Sequence, residues 1–329
     1  MPNQKAGVAA SARLFDADRT DREVELGPKT AKSVGDRQLL WIDLFLGGKS
    51  ADSPVPLEWL PFNPADLARA WSAAPSPQLT VHGDYFLARL VALGVDKQRE
   101  SSQVLDLAVG KNVVLTAHRK PIAFLAELDS RITADTSLGE IDSADFASVL
   151  LDGLITSYLE RTDVILARID ELDGEALRSS GRDDLLSELV ALRHRIAAIR
   201  RALVAHRGVM GAIASADFEL LTSAEGPRFV GVTERFNAAV DAIDAAREAL
   251  IGTFDIYMSR TAQRTNDVMK ILTVTSVLLL PTGVIAGFMG MNTKPPFSND
   301  NPMVFWVVVG LIVSIAVVTI VLLRLRRWL

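Results

Sequence analysis

Two long runs without a charged residue close this chain, and they constrain its fold more than any other feature. The first, Ile271–Met291, reads ILTVTSVLLLPTGVIAGFMGM, and the second, Met303–Leu323, reads MVFWVVVGLIVSIAVVTIVLL. A helix rising about 1.5 Å per residue crosses an apolar layer of about 30 Å in about 20 residues. Each run therefore predicts a membrane-spanning helix, since uncharged runs of this length are rare in soluble cores. The intervening NTKPPFSNDNP, rich in Pro and Asn, is a turn, so the two helices must run antiparallel. Arg324, Arg326 and Arg327 follow the second run, and Arg260, Arg264 and Lys270 precede the first. Basic flanks stay cytoplasmic, so both termini are expected in the cytosol, with only the loop outside. Trp306 and Trp328 sit near the ends of the second run, as interfacial anchors do.

The remainder has another character. Residues 271–329 hold Lys294, Arg324, Arg326 and Arg327 against Asp300, a net +3; the whole chain is −5, which leaves −8 for residues 1–270. That acidic balance speaks against a nucleic-acid partner. Cysteine is absent, which excludes disulfides and thiolate metal sites and suits a reducing cytosol. The N-terminus shows no apolar h-region of a signal peptide. No phosphate-cradling Gly loop, paired-carboxylate site or nucleophile constellation is visible, so the reading is not an enzyme, not ATP-driven and without a cofactor.

Residues 1–35 are polar and read as a mobile N-terminus. Leu39–Leu46, Gln78–Gly83, Tyr85–Leu93, Ser102–Gly110 and Asn112–Arg119 read as strands, and Asn63–Trp71 as a short helix with Asn63 as N-cap and Pro64 at its first position. A mixed α/β domain over 36–140 results. Helices follow over 141–226. Leu151, Ile155, Tyr158, Thr162, Ile165, Ile169 and Leu172 step by four and three, as do Leu185, Leu189, Leu192, Ile196, Ile199 and Leu203, with Ser179–Gly181 as the turn between two antiparallel helices. The first carries Glu160, Asp163, Asp170, Glu171 and Asp173, and the second Arg193, Arg195, Arg200, Arg201 and Arg207. Solvated faces and inter-helix pairs are the favoured reading of these charges, with a metal or lipid role as the alternative.

From about Pro227 to Met291 the sequence predicts one helix roughly 95 Å long, interrupted only by Pro281. A stalk over 227–270 would become the first span, 271–291; an external loop over 292–302, a second span over 303–323 and a basic cytosolic tail over 324–329 complete the chain. Phe236, Ile243, Leu250 and Tyr257 repeat every seven residues as a packing stripe. A second line comprises Glu248, Gly252, Asp255, Ser259, Ala262, Asn266, Met269, Thr273, Ser276, Leu280, Gly283, Gly287 and Gly290. It also steps by four and three and is small or polar in nearly every turn. Such a stripe serves either tight small-xxx-small helix packing or the wall of a water-filled path. Asp255 and Asn266 carry ion-friendly oxygens beyond the span and favour the path. One helix cannot enclose a path, so a symmetric ring of copies is required. A membrane-anchored coiled-coil scaffold or metal sensor without transport is the alternative.

The stretch YMSRTAQRTNDVMKILTVTSVLLLPTGVIAGFMGMN (Tyr257–Asn292) resembles the signature of the CorA divalent-cation transporter family, which includes a ZntB-like branch. The likeness lies in Asn266, Met269, Lys270, Leu272, Thr273, Pro281, Gly287 and the Gly290-Met291-Asn292 triplet, with a second span after a short loop. The resemblance implies an α+β cytosolic domain, long stalk helices and two transmembrane helices assembled as a homopentameric funnel in the inner (plasma) membrane. It implies movement of Mg2+, or of Zn2+, Co2+ or Ni2+, as cargo, through a path in which Gly290, Met291 and Asn292 form the outer selectivity ring. Asn266 would be an inner polar constriction, Met269, Leu272 and Leu280 hydrophobic gates, and Asp255 an acidic ring. Thr273, Ser276, Gly283 and Gly287 would line the wall between. The chain departs from the family at Met289, where an aromatic is usual, at Gly283, where a hydroxyl is frequent, and in a loop with one acid, Asp300. His82, His118, His194 and His206 all precede the spans and thiols are absent, so no imidazole or thiolate lies along the stripe.

Overall fold

Apolar strands pair into one seven-stranded sheet. The computed structural model describes residues 10–16, 21–46, 56–72, 75–94, 101–131, 142–178, 183–214, 226–290 and 302–325. The strands are β1 (Ala10–Asp16), β2 (Arg22–Glu23), β3 (Gln38–Phe45), β4 (Gln78–Val81), β5 (Tyr85–Leu93), β6 (Ser102–Gly110) and β7 (Val113–His118). Their order is β2-β1-β3-β7-β6-β5-β4, with β3 and β7 parallel and every other pair antiparallel. The strands read from the sequence are all present within a residue or two. The segment read as mobile, 1–35, is a correction: β1 lies within it and pairs along its whole length with β3. Its alternating side chains were too short and too mixed to announce a strand, and β3, more than twenty residues away, supplies the partner.

Both faces of the sheet are covered, which is why all six residues of β7 are buried. On one face, Leu67 and Trp71 of α1 (Pro64–Ser72) pack with Leu40, Ile42, Leu44, Leu115 and Ala117. Asn63 caps α1, its Oδ1 accepting from the Ala65 amide at 2.9 Å. On the other face, Phe146 of α3 (Ser143–Arg178) meets Phe15 and Trp41 with ring centroids 5.7 and 5.4 Å apart. Asp142 caps α3 by accepting from the Ala144 and Asp145 amides, both at 2.9 Å. A helix the sequence reading omitted, α2 (Ala123–Arg131), follows β7.

The four-and-three lines read on α3 and α4 (Asp183–Val204) are the buried faces of those helices. A short α5 (Arg207–Ala214) follows; the proposed turn at Ser179–Gly181 lies outside the described residues. The inter-helix ion pairs run Arg168–Glu188 between α3 and α4, Arg200–Asp244 between α4 and α6 (Gly226–Gly290), and Arg235–Asp152 between α6 and α3.

Helix α6 (Gly226–Gly290) is continuous for 65 residues. In its first half Phe229, Val232, Phe236, Ala239, Ile243, Ala246, Leu250 and Thr253 step by three and four and are all buried. The sevenfold stripe is therefore one half of a full heptad seam. Two compact units divide the chain, Met1–Leu172 with Asp183–Gly252, and Asp173–Arg182 with Thr253–Leu329. The second holds the rest of α6 and α7 (Pro302–Leu325), whose apolar windows have mean hydropathy 2.0 and 2.9 and no buried residues. Two core helices of a soluble fold would be covered; these are not.

Candidate functional site

The stripe on α6 is defined by what does not cover it. From Glu248 to Gly290 every one of its residues is exposed, with Met269 at 55 % and Leu280 at 67 %. At about 100° per residue, Glu248, Gly252 and Asp255 lie opposite the buried seam of Ala246, Leu250 and Thr253. Farther along, the half-covered positions are Val274, Leu278, Pro281, Thr282 and Ile285. They too fall on the side away from Thr273, Ser276, Gly283 and Gly287. The helix thus keeps a sheltered side and an open side up to Tyr257 and again from Val274 to Ile285, whereas every residue from Met258 to Met269 is exposed. Leu272, 59 % exposed, borders the open side.

The glycines of the stripe are not wedged against a neighbour in the chain. A Cβ built on Gly252, Gly283, Gly287 or Gly290 would meet nothing within 4 Å. Small-xxx-small packing inside one chain therefore does not account for them. Pro281 has no amide hydrogen, so the Val277 carbonyl gives up its helical donor within the apolar window. Thr273 and Thr282 donate their hydroxyls to the Met269 and Leu278 carbonyls at 2.7 and 2.9 Å, which leaves their oxygen lone pairs turned outward. The open side offers hydroxyl and amide oxygens, two carboxylates at Glu248 and Asp255, and no imidazole or thiol.

Gly290 ends α6, whereas Met291 and Asn292 lie outside the described residues. Among the described residues no three His, Asp or Glu side chains gather closely enough to hold a metal ion.

The first unit contains polar clusters that sequence reasoning missed. His118 faces acceptors with both ring nitrogens: the Lys120 carbonyl at 2.7 Å from Nδ1 and Asp43 Oδ2 at 3.2 Å from Nε2. Burial alone would favour the neutral ring, but Asp43 and the Lys120 carbonyl outweigh it and raise the pKa. Thr116 donates to Asp43 Oδ1 at 2.6 Å and accepts from the Trp41 indole at 3.0 Å, extending the chain of bonds. His206 behaves oppositely. It is fully buried, and burial pushes its pKa down to about 4. Its Nδ1 donates to the Ala202 carbonyl at 2.8 Å and its Nε2 accepts from the Val91 amide at 2.9 Å. Arg89 forks onto Asp106 at 2.7 and 2.9 Å. A visible signal existed for that last pair: one base and one acid standing alone in the apolar strands YFLARLVAL and SQVLDLAVG.

Comparison with known proteins places this geometry. A family model described as CorA-like Mg2+ transporter protein matches residues 36–327. The cobalt/magnesium transport protein CorA of Thermotoga maritima is 25 % identical over 281 residues, covering 83 % of this chain and 78 % of that protein. The complete structure of the CorA magnesium transporter from Methanocaldococcus jannaschii superposes with a TM-score of 0.79 at 20 % identity, over 98 % of this chain and 99 % of that one. The cytoplasmic domain of ZntB from Vibrio parahaemolyticus superposes with a TM-score of 0.59 at 12 % identity, over 78 % of this chain and 100 % of that one.

Proposed function

The chain belongs to the CorA-like Mg2+ transporter family, a family of membrane transporters and not of enzymes, and from that premise we propose that it moves hydrated divalent cations along the open side of α6, enclosed by a homopentamer. The observation that carries this reading is the uncovered small-polar stripe, which persists from Glu248 to Gly290 and lies opposite the covered residues wherever α6 has them. Copies arranged around an axis would turn those stripes inward and give the exposed glycines and hydroxyls a wet surface to face.

Mg2+ sheds water reluctantly and takes oxygen ligands. A ring of Asn292 amides beside Gly290 and Met291 holds its water shell without stripping it. Asn266 forms a second polar ring, and Asp255 concentrates cations at the inner mouth. Met269, Leu272 and Leu280 narrow the path with apolar side chains, while Thr273, Ser276, Gly283 and Gly287 keep it wide and polar between them. With no imidazole or thiolate on the stripe, Zn2+ and Co2+ pass as hydrated ions and are not held. The two spans put the chain in the inner (plasma) membrane with both termini cytosolic, as the basic flanks favour.

Purified protein in liposomes tests this. Wild-type vesicles are expected to take up Mg2+ and Co2+, with competition by Zn2+. Asn292→Ala is expected to change the rate or the ion preference, and Gly283→Leu to cut uptake by about tenfold or more while leaving the chain's fold unchanged. Equal uptake by wild type and both variants would refute the path and favour a stripe used for packing.

A further inference from the structure

We propose that the carbonyl oxygen of Val277, freed by Pro281, is a cation-contacting group of the path. Copies around the axis would set these carbonyls in a ring. A hydrated divalent cation would rest there, between the Thr273 and Ser276 hydroxyls and the Leu280 side chains. The inference rests on the transport reading above and adds to it a contact made by the main chain.

Pro281 lies inside α6, within its apolar window. Proline has no amide hydrogen, so the carbonyl four residues earlier loses its helical donor. In a bilayer such a carbonyl is costly unless a hydroxyl, a neighbouring helix or water takes the place of the amide. The nearby threonine hydroxyls are engaged elsewhere: Thr273 donates to the Met269 carbonyl at 2.7 Å and Thr282 to the Leu278 carbonyl at 2.9 Å. Among the described residues no side chain donates to the Val277 oxygen. Alanine at 281 would close the ladder and suit a helix better, so helix formation does not ask for the gap.

Position gives the gap a direction. Val277 follows Thr273 by four and precedes Leu280 by three, the spacing of one helix face. All three are exposed, Val277 at 46 %. A helical carbonyl lies on the side of its own Cα and points toward the C-terminal end. The Val277 oxygen therefore borders the open side, next to Thr273, and points toward the turn of Leu280. Residue type conceals this, because a valine side chain offers a cation nothing and 277 drops out of any small-polar pattern.

The chemistry suits a hydrated ion. Mg2+ keeps several of its waters, and those waters are polarised into strong donors. A carbonyl accepts from such a water without displacing it, so a ring of carbonyls holds the charge through its shell.

Uptake of Mg2+ into liposomes by the full-length protein tests the contact. Pro281→Ala returns an amide hydrogen to the Val277 carbonyl. Lactic acid at position 281, introduced during translation, is the α-hydroxy analogue of alanine. It has the same methyl group and an ester oxygen in place of the N–H, so it removes the proline ring yet leaves the carbonyl free. Pro281→Ala is expected to raise the half-saturating Mg2+ concentration by about tenfold, the loss of one charge-assisted hydrogen bond, and the ester variant to stay within about twofold of wild type. Wild-type behaviour of Pro281→Ala, or the same loss in both variants, would overturn the proposal and leave the transport reading standing. Absence of uptake by the wild type would overturn both.

Discussion

The sheet unit should lose stability steeply in mild acid because of one side chain, His206. Strand β4 begins at Gln78, opposite Arg89, so β5 runs on past its neighbour's end. Helix α3 and the turn between α4 and α5 take the neighbour's place at Val91. His206 Nε2 accepts the Val91 amide at 2.9 Å, and Tyr158 donates its hydroxyl to the Val91 carbonyl at 2.8 Å. The arrangement needs the neutral ring, because a proton on Nε2 would face the Val91 amide hydrogen. Burial enforces the same state by lowering the pKa from 6.5 to about 4. Between those values the unfolded chain binds a proton that the folded chain refuses. Stability is therefore full above pH 6.5 and falls as the pH drops toward about 4. At about 1.4 kcal/mol per pH unit the whole interval is worth about 3 kcal/mol.

His206→Gln isolates the effect. A glutamine oxygen can accept the Val91 amide and does not titrate. Denaturant midpoints followed by tryptophan fluorescence, on the full-length protein in detergent, should show a wild-type curve that falls across this interval and a flatter variant curve. The difference between the two removes the carboxylates, which titrate in both. Parallel curves would refute the reasoning, as would a His206 ring resonance titrating near pH 6.5.

Three further outcomes follow from the same structure. His118 has a raised pKa, so the stability it contributes is present below pH 6.5 and is lost as pH rises through that raised value; the protection of the Leu46 amide, whose N–H donates to the His118 carbonyl at 2.8 Å, relative to its intrinsic exchange rate should fall over that rise in wild type but not in His118→Gln. Thr116→Val keeps the shape but strands the Trp41 indole N–H and removes a donor from Asp43, which should cost about 1–3 kcal/mol in chemical denaturation. Asp255 is exposed on α6, so Asp255→Asn should leave the denaturation midpoint unchanged yet slow uptake at low cation concentration and low salt, where charge focusing matters most.

What the sequence reveals and conceals divides by the range of the interaction. Helix faces were legible because periodicity is local: Leu151 to Leu172 and Leu185 to Leu203 are buried as their spacing predicts. The Asn63 cap was legible for the same reason. Strand β1 was not, since ASARLFD gains its identity from β3. The His206–Val91 bond joins residues 115 positions apart, and no local pattern marks either of them. Arg89 and Asp106 are intermediate: each stands out in its strand, but only the β5–β6 register makes them a pair.

The same division bears on the proposed assembly around α6. Spacing shows which residues share a side, but not what covers that side. In the folded chain the sheltered side goes to the seam of Phe236, Ile243 and Leu250 and then to Val274, Leu278 and Ile285, and the open side goes to nothing. Left to lipid, that open side would set Thr273, Ser276 and the donorless Val277 carbonyl near hydrocarbon, where polar groups without partners are costly. It would also present Gly283, Gly287 and Gly290 where larger apolar side chains would serve better. Water inside a ring of copies satisfies those oxygens and uses the space above the glycines; close packing of copies on the same side fills the space and leaves no path. Enlarging Gly283 separates the two. In a wet ring it narrows a conduit and stops flux while the assembly persists, and in a packed seam it drives the copies apart, which light scattering from the solubilised protein would register as a fall in mass.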